Sequence, residues 1–356
     1  MTGEPLLLPA GSCLLHVGPY KTGSSSIQAA LHAQRPALRE HGVLYAGSTQ
    51  RARRPGWAVI GVTPRGRRTA TIDEWLALVE EVRGAAELRV CVSTEDLARV
   101  GPDVAERVVS DLGPERVHVV TVVRRLDRLL PSQWQQRAQS FKTDTYDEYL
   151  HAVLDPSGQE DHPSRKAFWA SHDVSKVIGT WASASVPSQV VAVVADEADR
   201  ELLPRTFEQL LGLPEGMLAP EPGGNPSLSY NAVELVRRLN VLATERGWPD
   251  EVYGRVVREA AHAMKSAGRS ELDVAVPPLP LWAADRVREL SDQRAKELER
   301  WAGSGVRVVG DVLSLREVAA GDASAGIGSV AIDTVVQAFR GAVLADEASV
   351  ARAVRG

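Results

Sequence analysis

The segment from His16 to Gln28, HVGPYKTGSSSIQ, combines one lysine with glycines and several hydroxyl side chains. An apolar run, residues 13–17, precedes it, and a run with helical spacing, residues 27–31, follows it. A strand, a glycine-rich turn and a helix start present free backbone N–H groups and the positive end of the helix dipole to an anion. The pattern therefore predicts an anion site. The alternative is a tight turn capped by hydroxyls, which would not require a lysine.

The spacing of the glycines resembles a phosphate-binding loop, but the lysine lies elsewhere. In the pattern G-x-x-x-x-G-K-[ST] the lysine follows the second glycine. Gly18 and Gly23 have that separation, whereas Ser24 occupies the lysine position and the lysine is Lys21. Backbone N–H groups of residues 22–25 can still surround a phosphate, and Lys21 would approach it from the apex of the loop.

A second cationic motif lies about a hundred residues further on, in VVRRLDRLLPSQWQQ. Arg124 follows an apolar run, residues 117–123, and Ser132 lies eight residues after Arg124. The helix predicted over residues 129–140 has Pro131 near its start, so Ser132 is expected in its first turns, where the dipole favours anions. Arginine binds phosphate bidentately. The alternative is a solvated arginine cluster at the strand end.

Both motifs resemble those of sulfotransferases that use 3′-phosphoadenosine 5′-phosphosulfate (PAPS). Residues 18–25 match the family's 5′-phosphosulfate loop, G-x-x-K-[TS]-G-[TS]-[TS], and Arg124 with Ser132 matches its 3′-phosphate motif. The resemblance implies that Lys21 contacts the oxygen bridging phosphate and sulfate. It also implies that the 5′-phosphate is held by Thr22, Gly23, Ser24 and Ser25.

The resemblance extends over about residues 13–315. Trp134-Gln135 and the segments 225–240 and 308–312 are similar to an actinobacterial-type branch of the family. That branch commonly has an arginine after the asparagine at position 225, where this chain has Pro226.

The resemblance also implies a histidine after Tyr45, but residues 42–72 contain no histidine and no carboxylate. They contain six arginines instead: Arg51, Arg53, Arg54, Arg65, Arg67 and Arg68. With the prolines and glycines between them, residues 51–68 read as a loop. It could form a lid over an acceptor site, where its charge would suit an anionic acceptor. The alternative is a solvated loop that balances acidic helices.

The implied reaction is transfer of a sulfuryl group from PAPS to a hydroxyl or amine, with 3′,5′-adenosine bisphosphate (PAP) as product and no metal. Lys21 would stabilise the leaving oxygen. Glu95, in VSTEDL, is the candidate base because it follows an apolar run at the carboxyl edge of a sheet. Alternatively, Glu95 belongs to a helix start capped by Ser93 or Thr94. His162 and His172 could line an acceptor pocket, and the alternative for both is a surface or packing role.

The apolar runs alternate with amphipathic helical segments, which predicts a parallel sheet. The expected strands are residues 13–17, 43–45, 88–92, 117–123, 189–194 and 306–312. The expected helices are residues 24–34, 72–84, 102–112, 129–140, 174–184, 202–211, 228–243, 281–302 and 330–345. The fold class is therefore α/β, a P-loop-like parallel sheet flanked by helices with helical C-terminal additions. We expect a sulfotransferase-like domain over residues 1–320 and a linker with a helix over residues 321–356.

The composition is that of a folded protein, with 356 residues, 44% hydrophobic and 24% charged. The net charge of −5 argues against a general nucleic-acid partner. No run approaches the ~20 apolar residues of a membrane span, and the N-terminus lacks a basic signal-peptide region. We therefore expect a cytoplasmic location and no membrane span. Cys13 and Cys91 are expected to be buried small hydrophobes.

Three functions agree with these features. The first is a PAPS-dependent sulfotransferase with a small-molecule, lipid or glycan acceptor. The second is a P-loop kinase, which the displaced lysine and the lack of an acidic magnesium ligand after the strands disfavour. The third is a non-catalytic nucleotide-binding or interaction protein, which the missing histidine leaves open.

Overall fold

One parallel sheet joins strands from residue 13 to residue 309. The computed structural model describes residues 6–64, 67–157, 161–219, 227–267, 273–321 and 331–342. Within them the strands are β1 (Cys13–Gly18), β2 (Val43–Tyr45), β3 (Arg89–Ser93), β4 (Val117–Val123), β5 (Val190–Val194) and β6 (Arg307–Val309). Their order is β2-β3-β1-β4-β5-β6, with every pairing parallel. The predicted α/β, P-loop-like fold class is confirmed.

Helices flank this sheet and continue beyond it. They are α1 (Ser24–Ala33), α2 (Arg35–Glu40), α3 (Arg53–Ile60), α4 (Ile72–Gly84), α5 (Pro102–Leu112), α6 (Leu126–Ala138), α7 (Tyr146–Leu154), α8 (Pro163–His172), α9 (Val174–Ala184), α10 (Leu202–Leu211), α11 (Tyr230–Glu245), α12 (Asp250–Tyr253), α13 (Glu259–Ser266) and α14 (Leu281–Gly303). A π-helical turn, Gly254–Arg258, joins α12 to α13. No helix among these described ranges is long and apolar enough to cross a bilayer.

Strand β1 lies between β3 and β4, and this position gathers three loops. His16 of β1 pairs with Ser93 of β3, and Gly18 pairs with Thr121 of β4. Since parallel strands end at one edge of the sheet, the segments that follow these three strands meet there. They are the loop after Gly18, the turn after Ser93 and the segment that starts at Arg124.

Three apolar cores support this arrangement. Along β1, alternate side chains enter different cores: Cys13, Leu15 and Val17 pack on one face of the sheet and Leu14 on the other. Both faces are covered, which explains why β4 reads VHVVTVV. A third core joins helices α6, α7, α11, α13 and α14 around residues such as Trp134 and Val257.

The C-terminal residues that the structure describes pack on this helical core. Residues 332–342 are helical, within the predicted 330–345. A Cβ built on Gly341 would lie 2.3 Å from the backbone oxygen of Glu259, so this helix lies directly against α13. The predicted linker, apart from Gly321, lies outside the described residues, and the division at residue 320 stays a prediction.

The prediction of a loop over residues 51–68 is wrong for residues 53–60, which form helix α3. Pro55 lies in the first turn of the helix, where proline is tolerated. Gly56 is required by packing, because a Cβ there would lie 2.9 Å from Oγ1 of Thr94. Arg54 donates to both carboxylate oxygens of Glu74 at 2.7 Å. Proline and glycine therefore mark a helix start and a close contact here.

Candidate functional site

The loop between β1 and α1 has the backbone geometry of an anion site. Gly18 and Gly23 have positive φ angles of 92° and 100°, and Lys21 has a φ of 67°. Helix α1 starts without a side-chain cap. In the described part of the chain, the N–H groups of residues 22–25 have no hydrogen-bond acceptor. These donors are available to a ligand at the helix N-terminus.

The carbonyl groups of the same loop are occupied. Thr22 and Ser24 donate their hydroxyls to the carbonyl of Pro19 at 2.7 and 3.2 Å. The next two carbonyls accept bonds from distant side chains: Gln133 donates to Tyr20 at 3.3 Å, and Arg124 donates to Lys21 at 2.8 Å. Three successive carbonyls are thus held by side chains, which leaves the N–H groups as the free polar face of the loop.

Two of the predicted hydroxyl donors therefore serve the loop itself. Thr22 and Ser24 are each 2% exposed, and their hydroxyls bond the loop carbonyl. Ser25 is exposed at the start of α1. Of the predicted phosphate-binding residues, Ser25 has the accessible hydroxyl, while Thr22, Gly23 and Ser24 have backbone N–H groups to offer.

A buried hydrogen-bond chain underlies the loop. His16 is fully buried, with Nδ1 2.8 Å from Oγ of Ser93 and Nε2 3.4 Å from Oγ of Ser24. Gln28 donates to Ser93 at 2.9 Å. One consistent arrangement has Gln28 donating to Ser93, Ser93 to His16, His16 to Ser24, and Ser24 to Pro19. Burial lowers the pKa of His16 to about 3, so the ring stays neutral and structural.

Lys21 lies in a partly buried and strongly charged environment. The pKa of Lys21 is lowered to about 8, mainly by burial and also by the nearby cations of Lys265 and Arg124, while Glu95 opposes them. The ammonium group therefore lies near two cations and one carboxylate. Lys265 belongs to α13, far away in the sequence, and no local pattern marks it.

Arg124 contacts the loop between β1 and α1. Its Nη1 binds the carbonyl of Lys21, and its Nε donates to Oε1 of Glu197 at 2.7 Å. Its own carbonyl accepts a bond from the buried Arg294 at 3.0 Å. Among the described residues Nη2 of Arg124 has no partner, so part of the guanidinium remains for a ligand. Arg124 and Lys21 thus lie on the same edge of the sheet.

Ser132 lies in the second turn of its helix, and the predicted helix start at residue 129 is wrong. Helix α6 begins at Leu126, so Ser132 is its seventh residue and Pro131 lies inside the helix. The first-turn acid is Asp127, which Arg125 binds at 2.8 Å. Proline inside a helix removes one backbone bond but does not always end the helix. The described contacts do not bring Ser132 to the loop.

The neighbouring residue, Gln133, contacts the loop instead, and sequence reasoning missed it. Its Nε2 lies 3.3 Å from the carbonyl of Tyr20 and 2.8 Å from Nε2 of His172. Since the amide nitrogen donates to the carbonyl, His172 accepts through Nε2. Burial lowers the pKa of His172 to about 3, helped by Arg294. His172 is therefore a neutral packing residue that orients Gln133.

Glu95 lies directly beside the loop. It is 2% exposed and begins the 3₁₀ turn Glu95–Arg99. A Cβ built on Gly18 would lie 2.9 Å from Cα and Cβ of Glu95. Nη1 of Arg51 lies 3.1 and 3.4 Å from the two carboxylate oxygens. This buried carboxylate is therefore held by an arginine from the segment before α3.

The structure does not show the alternative arrangement, in which Ser93 or Thr94 caps a helix start that contains Glu95. Thr94 precedes the turn without a side-chain capping bond, and Ser93 bonds His16. The turn is instead anchored by Asp96, which accepts from Nε1 of Trp57 at 3.0 Å and from Arg99 at 2.8 Å. Pro226, where the family branch commonly has an arginine, lies outside the described residues. In the ranges described, no group of three or more potential metal ligands occurs.

Comparison with known proteins gives likenesses to solved structures alone. No family model and no curated protein matches the chain. Among solved structures, a sulfotransferase from Alicyclobacillus acidocaldarius is similar with a TM-score of 0.38 and 15% identity, over 67% of this chain and 97% of that chain.

Proposed function

We propose that the chain is a PAPS-dependent sulfotransferase that transfers a sulfuryl group to a hydroxyl or amine of a small-molecule, lipid or glycan acceptor. One observation carries the proposal: Lys21, Arg124 and Glu95 meet at a single loop whose N–H groups are free and whose carbonyls are occupied. The proposed location is the cytoplasm and the proposed family branch is the actinobacterial type, both on the sequence features above.

The residues present are suited to a nucleotide with phosphates at both ends. The N–H groups of residues 22–25 and the uncapped start of α1 offer one anion site. Arg124 offers a second, because Nη2 of its guanidinium has no partner among the described residues and can donate a charge-assisted hydrogen bond to a phosphate. The proposed donor-binding residues are Lys21, Thr22, Gly23, Ser24, Ser25, Arg124 and Ser132.

When bound, PAPS supplies a sulfuryl group on a phosphate leaving group. In the proposed transfer, a bond forms between the acceptor oxygen or nitrogen and sulfur, and the bond from sulfur to the bridging oxygen breaks. Lys21 stabilises the negative charge that develops on the bridging oxygen. Glu95 takes the proton of the acceptor, which is worth about 10²–10⁴-fold in rate. Arg51 orients the carboxylate through both of its oxygens.

The kinase alternative has less support. A kinase loop needs a lysine at the position of Ser24, and that hydroxyl is directed to the carbonyl of Pro19. The non-catalytic alternative retains the donor site but no working base. Titration with PAP and Mg-ATP distinguishes the kinase alternative from the proposal. A screen for sulfated acceptors distinguishes the non-catalytic alternative from it.

Calorimetric titration tests the donor site, with PAP expected to bind without magnesium and Mg-ATP expected to bind more weakly. Mass-spectrometric screening of candidate acceptors then tests catalysis. Glu95→Gln is expected to lower the transfer rate about 10²–10⁴-fold and to retain PAP affinity. Glu106→Gln, at an exposed carboxylate on α5, serves as the matched control. A Glu95→Gln variant with full turnover would show that another group is the base.

A further inference from the structure

A cavity of about 620 Å³ lies among helices α7, α8, α9 and α14, and none of its lining residues is assigned to the donor. Its volume is within the range of about 300–1,000 Å³ that is typical of small-molecule sites. Apolar side chains form part of its wall, and among them Trp169 and Leu290 are only partly buried. Exposed Lys166 and Lys176 also line the cavity, so it opens to solvent.

Arg294 lines this cavity with a buried and incompletely bonded guanidinium. The residue is 5% exposed, and its Nη1 donates to the carbonyl of Arg124 at 3.0 Å. Its Nε is buried without a hydrogen-bond acceptor, and no described residue accepts from Nη2. A buried charged donor that lacks an acceptor is costly. An acceptor group of a ligand in the cavity would therefore stabilise Arg294.

The two carboxylates of the wall do not pair with Arg294. Asp173 accepts the N–H of Lys176 at 2.9 Å as the N-cap of α9, and Glu297 accepts from Gln293 at 2.9 Å. They act on Arg294 at longer range: burial lowers its pKa to about 10, and both carboxylates oppose that effect. The guanidinium is thus charged at neutral pH and has no ion pair among the described residues.

The charges of the whole wall favour a ligand with a single negative charge. Two of its cations, Lys166 and Arg286, pair with carboxylates outside the wall, at 2.6 and 2.7 Å. The remaining cations, Arg165, Lys176 and Arg294, take part in no described salt bridge and face the two carboxylates. Three positive charges against two negative charges leave one for a ligand to balance. A monoanionic carboxylate therefore suits the cavity better than a phosphate dianion.

Arg294 also separates this cavity from the donor site. Asp173, Val174 and Arg294 line both the cavity and a small buried void that Pro19 also lines. The bond from Arg294 to the carbonyl of Arg124 connects the same wall with the segment after β4. The cavity is therefore a second site behind the loop between β1 and α1, and its occupant would not displace the donor.

We propose that this cavity binds a small organic carboxylate that carries an apolar ring. Arg294 donates hydrogen bonds to the carboxylate, because a planar guanidinium matches the geometry of that group. The ring lies against Trp169 and Leu290. This inference goes beyond the proposed function and does not depend on it, because no cavity residue takes part in the proposed transfer.

Calorimetric titration of the full chain with 2-naphthoate tests the proposal, and the neutral 2-naphthamide is the counterpart. We expect 2-naphthoate to bind about tenfold or more tightly than 2-naphthamide, because the amide has no charge to pair with Arg294. Leu290→Glu places a carboxylate one helical turn before Arg294 and should weaken 2-naphthoate by about tenfold or more. Leu242→Glu, the same change at an exposed leucine of α11, should leave the affinity unchanged.

Arg294→Gln should bind the two compounds equally, and circular dichroism shows whether this variant is folded. If it is not, Leu290→Glu still decides the question. The inference is overturned if 2-naphthoate does not bind, if the two compounds bind the wild type equally, if Leu290→Glu binds as the wild type does, or if PAP displaces 2-naphthoate. Failure of the proposed function is recognised separately, because PAP would then not bind, whatever 2-naphthoate does.

Discussion

Lys21 combines an unfavourable backbone conformation with a perturbed charge. A left-handed conformation costs about 1–2 kcal/mol for a residue with a side chain, and Lys21 adopts it at a φ of 67°. The cost is offset because Arg124 and Gln133 hold the carbonyls of Lys21 and Tyr20. The side chain is thereby presented at the apex of the loop. Strain that is maintained by surrounding contacts is typical of functional sites.

The lowered pKa of Lys21 predicts how PAP affinity varies with pH. In the free protein the ammonium is intact below its pKa of about 8 and loses its proton above it. Affinity for PAP, whose phosphates are already ionised, should therefore fall between about pH 7 and pH 9.5. Lys21→Arg should abolish this fall, because arginine stays charged over the range. Calorimetric titrations with PAP at four pH values measure this dependence in the wild type and in the variant. A flat profile in the wild type would contradict the assignment.

At the scale of elements, the serines at the start of helix α1 have two different environments. Ser24 is buried and its hydroxyl bonds the carbonyl of Pro19, with His16 3.4 Å away, whereas Ser26 is exposed. The first hydroxyl stabilises the loop between β1 and α1, and the second has no such bond. Three consecutive serines look equivalent in the sequence, and only the loop conformation distinguishes them.

Ser24→Ala is therefore expected to lower the free energy of unfolding by about 1 kcal/mol, the net value of a buried hydrogen bond. Ser26→Ala, the matched control, is expected to change it by less than about 0.5 kcal/mol. Urea denaturation followed by tryptophan fluorescence measures both. Equal stability of the two variants would mean that the buried chain beneath the loop contributes nothing.

The start of α6 shows where sequence reasoning fails. Pro131 suggested a helix start, because proline is frequent there, but the helix begins five residues earlier, at Leu126. The first-turn acid, Asp127, is held by Arg125 and also accepts the N–H of Ala319. That contact comes from a segment almost two hundred residues away, so no local signal reveals its contribution.

At the scale of the whole molecule, the sheet was predictable, and the proximity of Lys265 to Lys21 was not. Apolar runs of strand length between amphipathic helices specify a parallel sheet, and its carboxyl edge follows from the topology. The meeting of Lys265 with Lys21 depends on how the helical core folds back over that edge. This requires the packing of α6, α11 and α13, which a single sequence does not reveal.

The whole chain should gain stability from PAP. A ligand that binds only the folded state at a hundred times its Kd adds about 2.7 kcal/mol. The melting temperature, followed through the eight tryptophans, should therefore rise with PAP concentration. Adenosine, which lacks both phosphates, is the control and should cause no rise. A rise with Mg-ATP and none with PAP would favour the kinase alternative.

The central claim is that the loop after β1 and Arg124 hold opposite ends of one nucleotide. Calorimetry with PAP and with AMP, which lacks the 3′-phosphate, tests it most directly when repeated on Arg124→Gln and on the exposed control Arg128→Gln. We expect PAP to bind at least tenfold more tightly than AMP to the wild type and to the control. We expect PAP and AMP to bind with equal affinity to Arg124→Gln. A preference for PAP that survives in Arg124→Gln, or no preference in the wild type, would contradict it.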